Sequence, residues 1–138
     1  MPIDFGTGDS LELARTGPTI DAVLRPYGVE SASPTRYPAL IDTGASETCI
    51  DAQLAVSLDL PAVDAQTIST ASGEDRILRY LAMVEIPDLG VFKLGRFPGV
   101  RLSEGGQYHR ILIGRDLLQD MYLTYDGFAG EGTLTLSQ

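Results

Sequence analysis

Apolar and polar residues alternate in short bursts along this chain, and most bursts stop at glycine or proline. In Thr19-Ile20-Asp21-Ala22-Val23-Leu24, the side chains of Ile20, Ala22 and Leu24 share one face, the period of a half-buried strand. Thr16-Gly17-Pro18 turns the chain into that run. Residues 27–35, with Gly28, Ser31, Ser33 and Pro34, read as a loop, and residues 36–41 as a strand. Ile50, Leu54 and Leu58 then recur at i, i+4 and i+8. With Ser46 as N-cap, Glu47 in the first turn and Pro61 as the stop, this spacing predicts a short amphipathic helix. Residues 66–70 and 76–86 read as a long hairpin whose turn is Ala71-Ser72-Gly73-Glu74-Asp75. Pro87-Asp88-Leu89-Gly90 leads into a strand at 91–94, residues 97–102 give another, and Ser103-Glu104-Gly105-Gly106 is a loop. A strand over 110–113, a brief helix over 116–121 and strands over 121–125 and 133–136 complete the pattern.

Residues 1–16 read as an N-terminal extension, either disordered or a strand: the start is polar and glycine-rich, and Leu11-Glu12-Leu13 alternates. Many short strands, two short helices and tight turns predict an all-β class, a closed barrel-like domain over 17–138. The 15 glycines and 8 prolines among 138 residues suit a turn-rich β domain better than a helical bundle, and the length suits one domain.

A net charge of −9 repels phosphates, which argues against nucleic acid or an anionic membrane as partner. No apolar run approaches the ~20 residues of a membrane helix. The start, Met1-Pro2-Ile3-Asp4, lacks the basic and apolar pattern of a signal peptide. One cysteine leaves no internal disulfide, so a cytoplasmic protein in a reducing compartment, away from membranes, is the expectation.

The chemistry concentrates in Ala39-Leu40-Ile41-Asp42-Thr43-Gly44-Ala45-Ser46, an apolar strand ending at an acid, a hydroxyl and a glycine. Such a carboxylate needs hydrogen bonds or a partner charge. Thr43 supplies a hydroxyl, and Gly44 permits positive φ or a close approach of backbone. A second stretch has the same form: Ile111-Leu112-Ile113-Gly114-Arg115-Asp116-Leu117-Leu118 enters a glycine turn and continues as a helix-like run. Alone, Asp42-Thr43-Gly44 reads more readily as an ordinary strand-ending turn, since Asp and Gly favour turns.

Together, in this order and with their apolar lead-ins, the two stretches resemble the paired signatures of retropepsin-like aspartic proteases. The resemblance extends from about residue 17 to the end. It implies an aspartic endopeptidase acting as a homodimer on peptide or protein substrates, with no cofactor. Asp42 would be the catalytic acid, one per subunit, in a turn formed with Thr43, Gly44 and Ala45; the Thr43 hydroxyls would reach across the two-fold axis. Ile68, Ser69, Thr70, Ala71, Ser72 and Gly73 lie where the family carries its substrate-covering flap, although a plain hairpin reads the same way. Gly114 would let the second strand pass close to the Asp42 turn, and Arg115 and Asp116 would tie the short helix to the core. Retroviral members place acids soon after the Asp-Thr-Gly-Ala core, one of them pairing with the arginine matching Arg115; here Ser46 stands first and Glu47 next. In this respect the chain looks closer to cellular and bacterial relatives than to viral ones.

Cys49 and His109 are the competing nucleophilic pair. Cys49 would be a small buried side chain in the predicted helix and His109 solvated beside Tyr108, and the chain holds no asparagine to orient the imidazole. One histidine and one cysteine also make no metal cluster, so no metal is expected. Two other functional readings stand beside the protease: a catalytically silent retropepsin-like dimerisation or peptide-binding module, and a monomeric β domain with a decorative turn. For a dimer, the alternating strand 133–136 offers an edge to a second copy, with N-terminal residues beside it.

Overall fold

The computed structural model describes residues 1–29 and 33–137, so part of the expected loop at 27–35 lies outside the described residues. The fold is mainly β, as the alternation predicts, with three short helices rather than two. The strands are β1 (Ile3–Gly6), β2 (Thr19–Arg25), β3 (Arg36–Ile41), β4 (Cys49–Asp51), β5 (Ala62–Thr70), β6 (Gly73–Ile86), β7 (Val91–Val100), β8 (Ile111–Ile113), β9 (Met121–Asp126) and β10 (Glu131–Leu136). The helices are α1 (Ser10–Thr16), α2 (Ala52–Ser57) and α3 (Arg115–Leu118).

Strands β2-β3-β8-β4-β7-β6 pair in that order, and β6 pairs again with β2, which closes a ring. Its interior is filled by every second side chain. Along β6 the burial begins to alternate only near Tyr80, after which Ala82, Val84 and Ile86 all point inward. Each such large apolar side chain, once buried, contributes roughly 1.5–3 kcal/mol. Ile20, Ala22 and Leu24 are buried as the alternation of β2 requires, against Ala39, Ile41, Ile111 and Ile113. The first half of β6 has no such face. It leaves the ring as an arm paired only with β5, from Gln66↔Ile77 to Thr70↔Gly73, around a turn at Ala71-Ser72.

Four expectations need correction. The segment 1–16 is neither disordered nor wholly strand, because Leu11 and Leu13 lie in α1. Asp9 caps that helix, its Oδ1 accepting the N–H groups of Leu11 and Glu12, and Gly17, at φ 74°, ends it. A helix turns residues two apart to different sides, so Leu13 is buried and Leu11 exposed. The helix expected from Ser46 starts only at Ala52. Ile50 joins β4, between β7 and β8, and Asp51 is the cap, accepting the Leu54 N–H. Strands 91–94 and 97–102 are one, β7, because Gly95 keeps an extended backbone and Pro98 forms the last β6 pair, where a missing N–H costs least. Finally, residues 133–136 offer no free edge: β10 is the central strand of a separate sheet, β1-β10-β9.

Candidate active site

Strands β3 and β8 run parallel, with Ala39↔Ile111, Leu40↔Leu112 and Ile41↔Ile113 in register. The two glycine turns singled out in the sequence therefore leave the ring side by side. The Asp42 N–H donates to the Ile113 carbonyl at 2.9 Å, continuing the ladder one step past the strand. Beyond it the chain folds back on the carboxylate: the Gly44 N–H donates to Asp42 Oδ1 at 3.0 Å, and the Ala45 N–H to the Asp42 carbonyl at 3.2 Å. Gly44 does not use positive φ. Its contribution is space, since a Cβ there would sit 3.3 Å from the oxygen that its own N–H serves.

The second stretch clamps this turn. The Arg115 N–H donates to the Ala45 carbonyl at 2.8 Å and its guanidinium to the Thr43 carbonyl at 2.7 Å. Gly114 has no room for a side chain, because a Cβ would press on the Glu47 backbone and lie 2.8 Å from the Thr48 nitrogen. Asp116 completes the clamp by accepting from the Thr48 N–H at 3.0 Å, the Thr48 hydroxyl at 2.7 Å and Lys93 at 2.9 Å. Burial by itself would raise the Asp116 pKa, but the Thr48 and Lys93 hydrogen bonds outweigh it and hold the carboxyl below its ordinary value.

Sequence reasoning missed Thr48. It is fully buried, and its hydroxyl also accepts the Gly114 N–H at 3.1 Å, joining both turns through one side chain. It missed Asp51 too, which takes the Ser103 hydroxyl and the N–H groups of Leu102 and Ser103. Burial opposes ionisation of Asp51, yet these donors keep its pKa lowered. Both residues were legible only as a hydroxyl and an acid near the motif.

Strand alternation sends Asp42 out on the face opposite the buried Ala39 and Ile41. Leu40 leaves on that same face, and Leu112 and Cys49 stand beside it in register, all partly exposed. An acid at the edge of a short apolar row is the result. Thr43 is exposed, and among the described residues its hydroxyl has no hydrogen-bond partner.

The hairpin of β5 and β6 starts beside this floor, where Gln66 donates to Glu47 at 3.3 Å, and its residues 71–76 are exposed. Ile68 faces elsewhere, lining with Ala52, Tyr80 and Gly99 a depression of about 350 Å³ that does not include Asp42.

The two members of the competing pair have different hydrogen-bond partners, Cys49 the Glu47 carbonyl and His109 the Thr19 hydroxyl. Cys49 lies in β4, not in a helix, and is half-buried; burial first, then the nearby Glu47, Asp116 and Asp42 charges, push its thiol up to about 11. That is the opposite of an activated nucleophile. His109 is buried rather than solvated, because its Nε2 shares a 2.7 Å hydrogen bond with the Thr19 hydroxyl. Burial and then Arg110 lower its pKa. Among the described residues no three His, Cys, Asp or Glu side chains gather as a metal site, and no helix is long and apolar enough to cross a membrane.

Comparison with curated proteins gives no match. A family model described as "gag-polyprotein putative aspartyl protease" matches residues 33–120, well over half of the chain, and spans both glycine turns and the hairpin between them. The chain belongs to that retropepsin-like aspartyl protease family.

Proposed function

We propose that this protein is an aspartic endopeptidase whose site is shared between two identical copies, each contributing Asp42. The observation that carries the reading is the Asp42 carboxylate itself, oriented by the Gly44 N–H and clamped from the Arg115 side, at the end of the apolar row Leu40–Leu112–Cys49. Peptide hydrolysis without a metal or a covalent intermediate needs one carboxylate to activate water and a second, protonated, to polarise the carbonyl. Two acids a few ångströms apart share one proton, because both cannot ionise together, as in aspartic-protease dyads generally. One chain carries one Asp-Thr-Gly, so the second acid comes from a twin across a two-fold axis. The exposed Thr43 hydroxyl is available to bond across that axis.

An extended peptide fits between this floor and the β5–β6 hairpin. There β5 offers an open edge for strand addition, and the apolar row favours an apolar side chain next to the scissile bond. Residues 68–73 act as the cover that excludes water. Asp42→Asn tests the reading: cleavage of a mixed peptide library should fall by more than ~1000-fold, while the circular dichroism and the sedimentation coefficient stay those of the wild type. An Asn variant that cuts as fast as the wild type would end the assignment; a wild type that dimerises, binds peptide and never cuts would leave a silent binding module.

A further inference from the structure

We propose that the fork where the hairpin arm parts from the ring is a second peptide site, which docks an acidic, apolar segment of the substrate protein away from the bond that is cut. In naming substrate as the occupant, the inference rests on the endopeptidase reading above. Strands β6 and β7 pair from Ile86↔Val91 to Arg79↔Pro98 and then diverge. Beyond that point β6 continues beside β5 alone, while Gly99 and Val100 pair with β4 on their other side. The facing edges, 75–78 and 99–101, enclose the depression of about 350 Å³ that excludes Asp42. Backbone groups alternate in direction along a strand, so each wall turns some N–H and C=O groups into the fork outside either ladder. An open edge of that kind takes up an extended peptide.

The side chains say which peptide. Ile68, Ile77 and the exposed Leu78 line the arm side and Val100 the ring side, with the buried Tyr80 between them. Gly99 makes room for that ring, since a Cβ there would lie 2.6 Å from it. Two arginines line this apolar slot, Arg76 from the arm and Arg101 from the ring, beside one acid, Asp75, whose Oδ1 accepts the Arg76 N–H. In a chain of net charge −9 with ten basic side chains, these two are the least engaged. Arg15, Arg25, Arg36, Arg79, Lys93 and Arg96 each hold a carboxylate within 3.5 Å. Arg110 and Arg115 donate to backbone carbonyls. Among the described residues the Arg76 guanidinium has no partner, and Arg101 reaches only Glu104, at 3.9 Å in an exposed pair. Two underused cations on either side of an apolar slot select a carboxylate flanked by apolar side chains and reject a basic one.

The test uses the full chain carrying Asp42→Asn, so that bound peptide is not cut. The probes are fluorescein-labelled pentapeptides of alternating leucine and glutamate, leucine and lysine, or leucine and serine. Fluorescence anisotropy should give the glutamate peptide a dissociation constant about tenfold or more below the other two, a gap that narrows with added salt. Adding Arg101→Glu should reverse the preference toward the lysine peptide, a result that a misfolded chain would not give. With Asp42 restored, Arg101→Glu should cut short neutral peptides at the wild-type rate; a slower rate would put Arg101 at the cut bond and overturn the separation of the two sites. Equal affinity for the three peptides, or an unchanged glutamate preference in the Arg101→Glu chain, would overturn the fork site. Cleavage by the wild type that Asp42→Asn abolishes would leave the endopeptidase reading standing after that failure. A wild type that never cuts, with the preference and its reversal intact, would remove the endopeptidase reading and keep the fork as a peptide site.

Discussion

The turn at Asp42 and the turn at Ala71-Ser72 are both made of small and polar residues, yet they are held in opposite ways. Around Asp42, hydrogen bonds arrive from β8, from Arg115 and from its own loop, and the neighbouring Thr48 is buried and bonded to Asp116 and Gly114. At the hairpin tip, residues 71–76 are exposed and the arm is tied back mainly by its own ladder, by Arg79 and Arg96 on Asp64, and by Gln66 on Glu47. On the proposed function the difference has a use, since a catalytic carboxylate must be held within a fraction of an ångström, whereas a cover must open to admit a peptide. The same kinds of residue serve both ends because what differs is the number of elements converging on them.

The contrast can be broken from the rigid side first. Gly114→Ala should cost about 3 kcal/mol of unfolding free energy, since the new methyl meets backbone that cannot yield, and should lower kcat as the Asp42 turn shifts. Urea denaturation with an unchanged m-value would measure it; a cost near zero would mean that the two turns are not packed as described. Asp116→Ala comes next, at about 2 kcal/mol, because the Thr48 N–H and hydroxyl lose their acceptor inside the clamp. Asp116→Asn keeps one acceptor oxygen and should cost less than Asp116→Ala.

Acid titration probes the same clamp without mutation. Asp51 and Asp116 have folded pKa values lowered from the ordinary 3.8, so their stabilisation is present above that value and is lost as pH falls through the folded values. Thermal unfolding followed across the acid range should therefore show this loss beginning near pH 4, and Asp116→Asn should flatten it. His109 adds a smaller dependence: its folded pKa lies below 6.5, so stability is full above pH 6.5 and declines below it as the unfolded chain takes up the proton. His109→Gln should remove that step.

The smallest stability effect is expected at the hairpin tip. Gly73 holds φ at 123° and an added Cβ there would meet nothing within 4 Å, so Gly73→Ala strains only a local backbone conformation, costing about 1 kcal/mol globally. Its effect should appear in peptide kcat/KM and in faster amide exchange across residues 68–76. A Gly73→Ala variant that loses as much global stability as Gly114→Ala would erase the distinction between the two turns.

Much of this was legible from local pattern. The period of two in β2, the hairpin, and the two apolar lead-ins to glycine turns all survive in the structure, because alternation reports directly which face is buried. The misreadings share one cause. Leu11 and Leu13 alternate like a strand, but the cap at Asp9 and the glycine at 17 make a helix. Ile50 has helical spacing to Leu54, but a place in the sheet between β7 and β8 claims it. Strand 133–136 looks like an edge until β1 is seen to lie along it.

The sequence by itself determined the strand-rich class, the acid at the end of β3 and its companion glycine turn, since these rest on neighbours within a few residues. Only the tertiary structure decided that Thr48 and Asp116 join those turns, that His109 is buried, and that β9 rather than β10 carries the open edge. Each of those depends on residues far apart in the chain, and local periodicity carries no information about which distant strand arrives first.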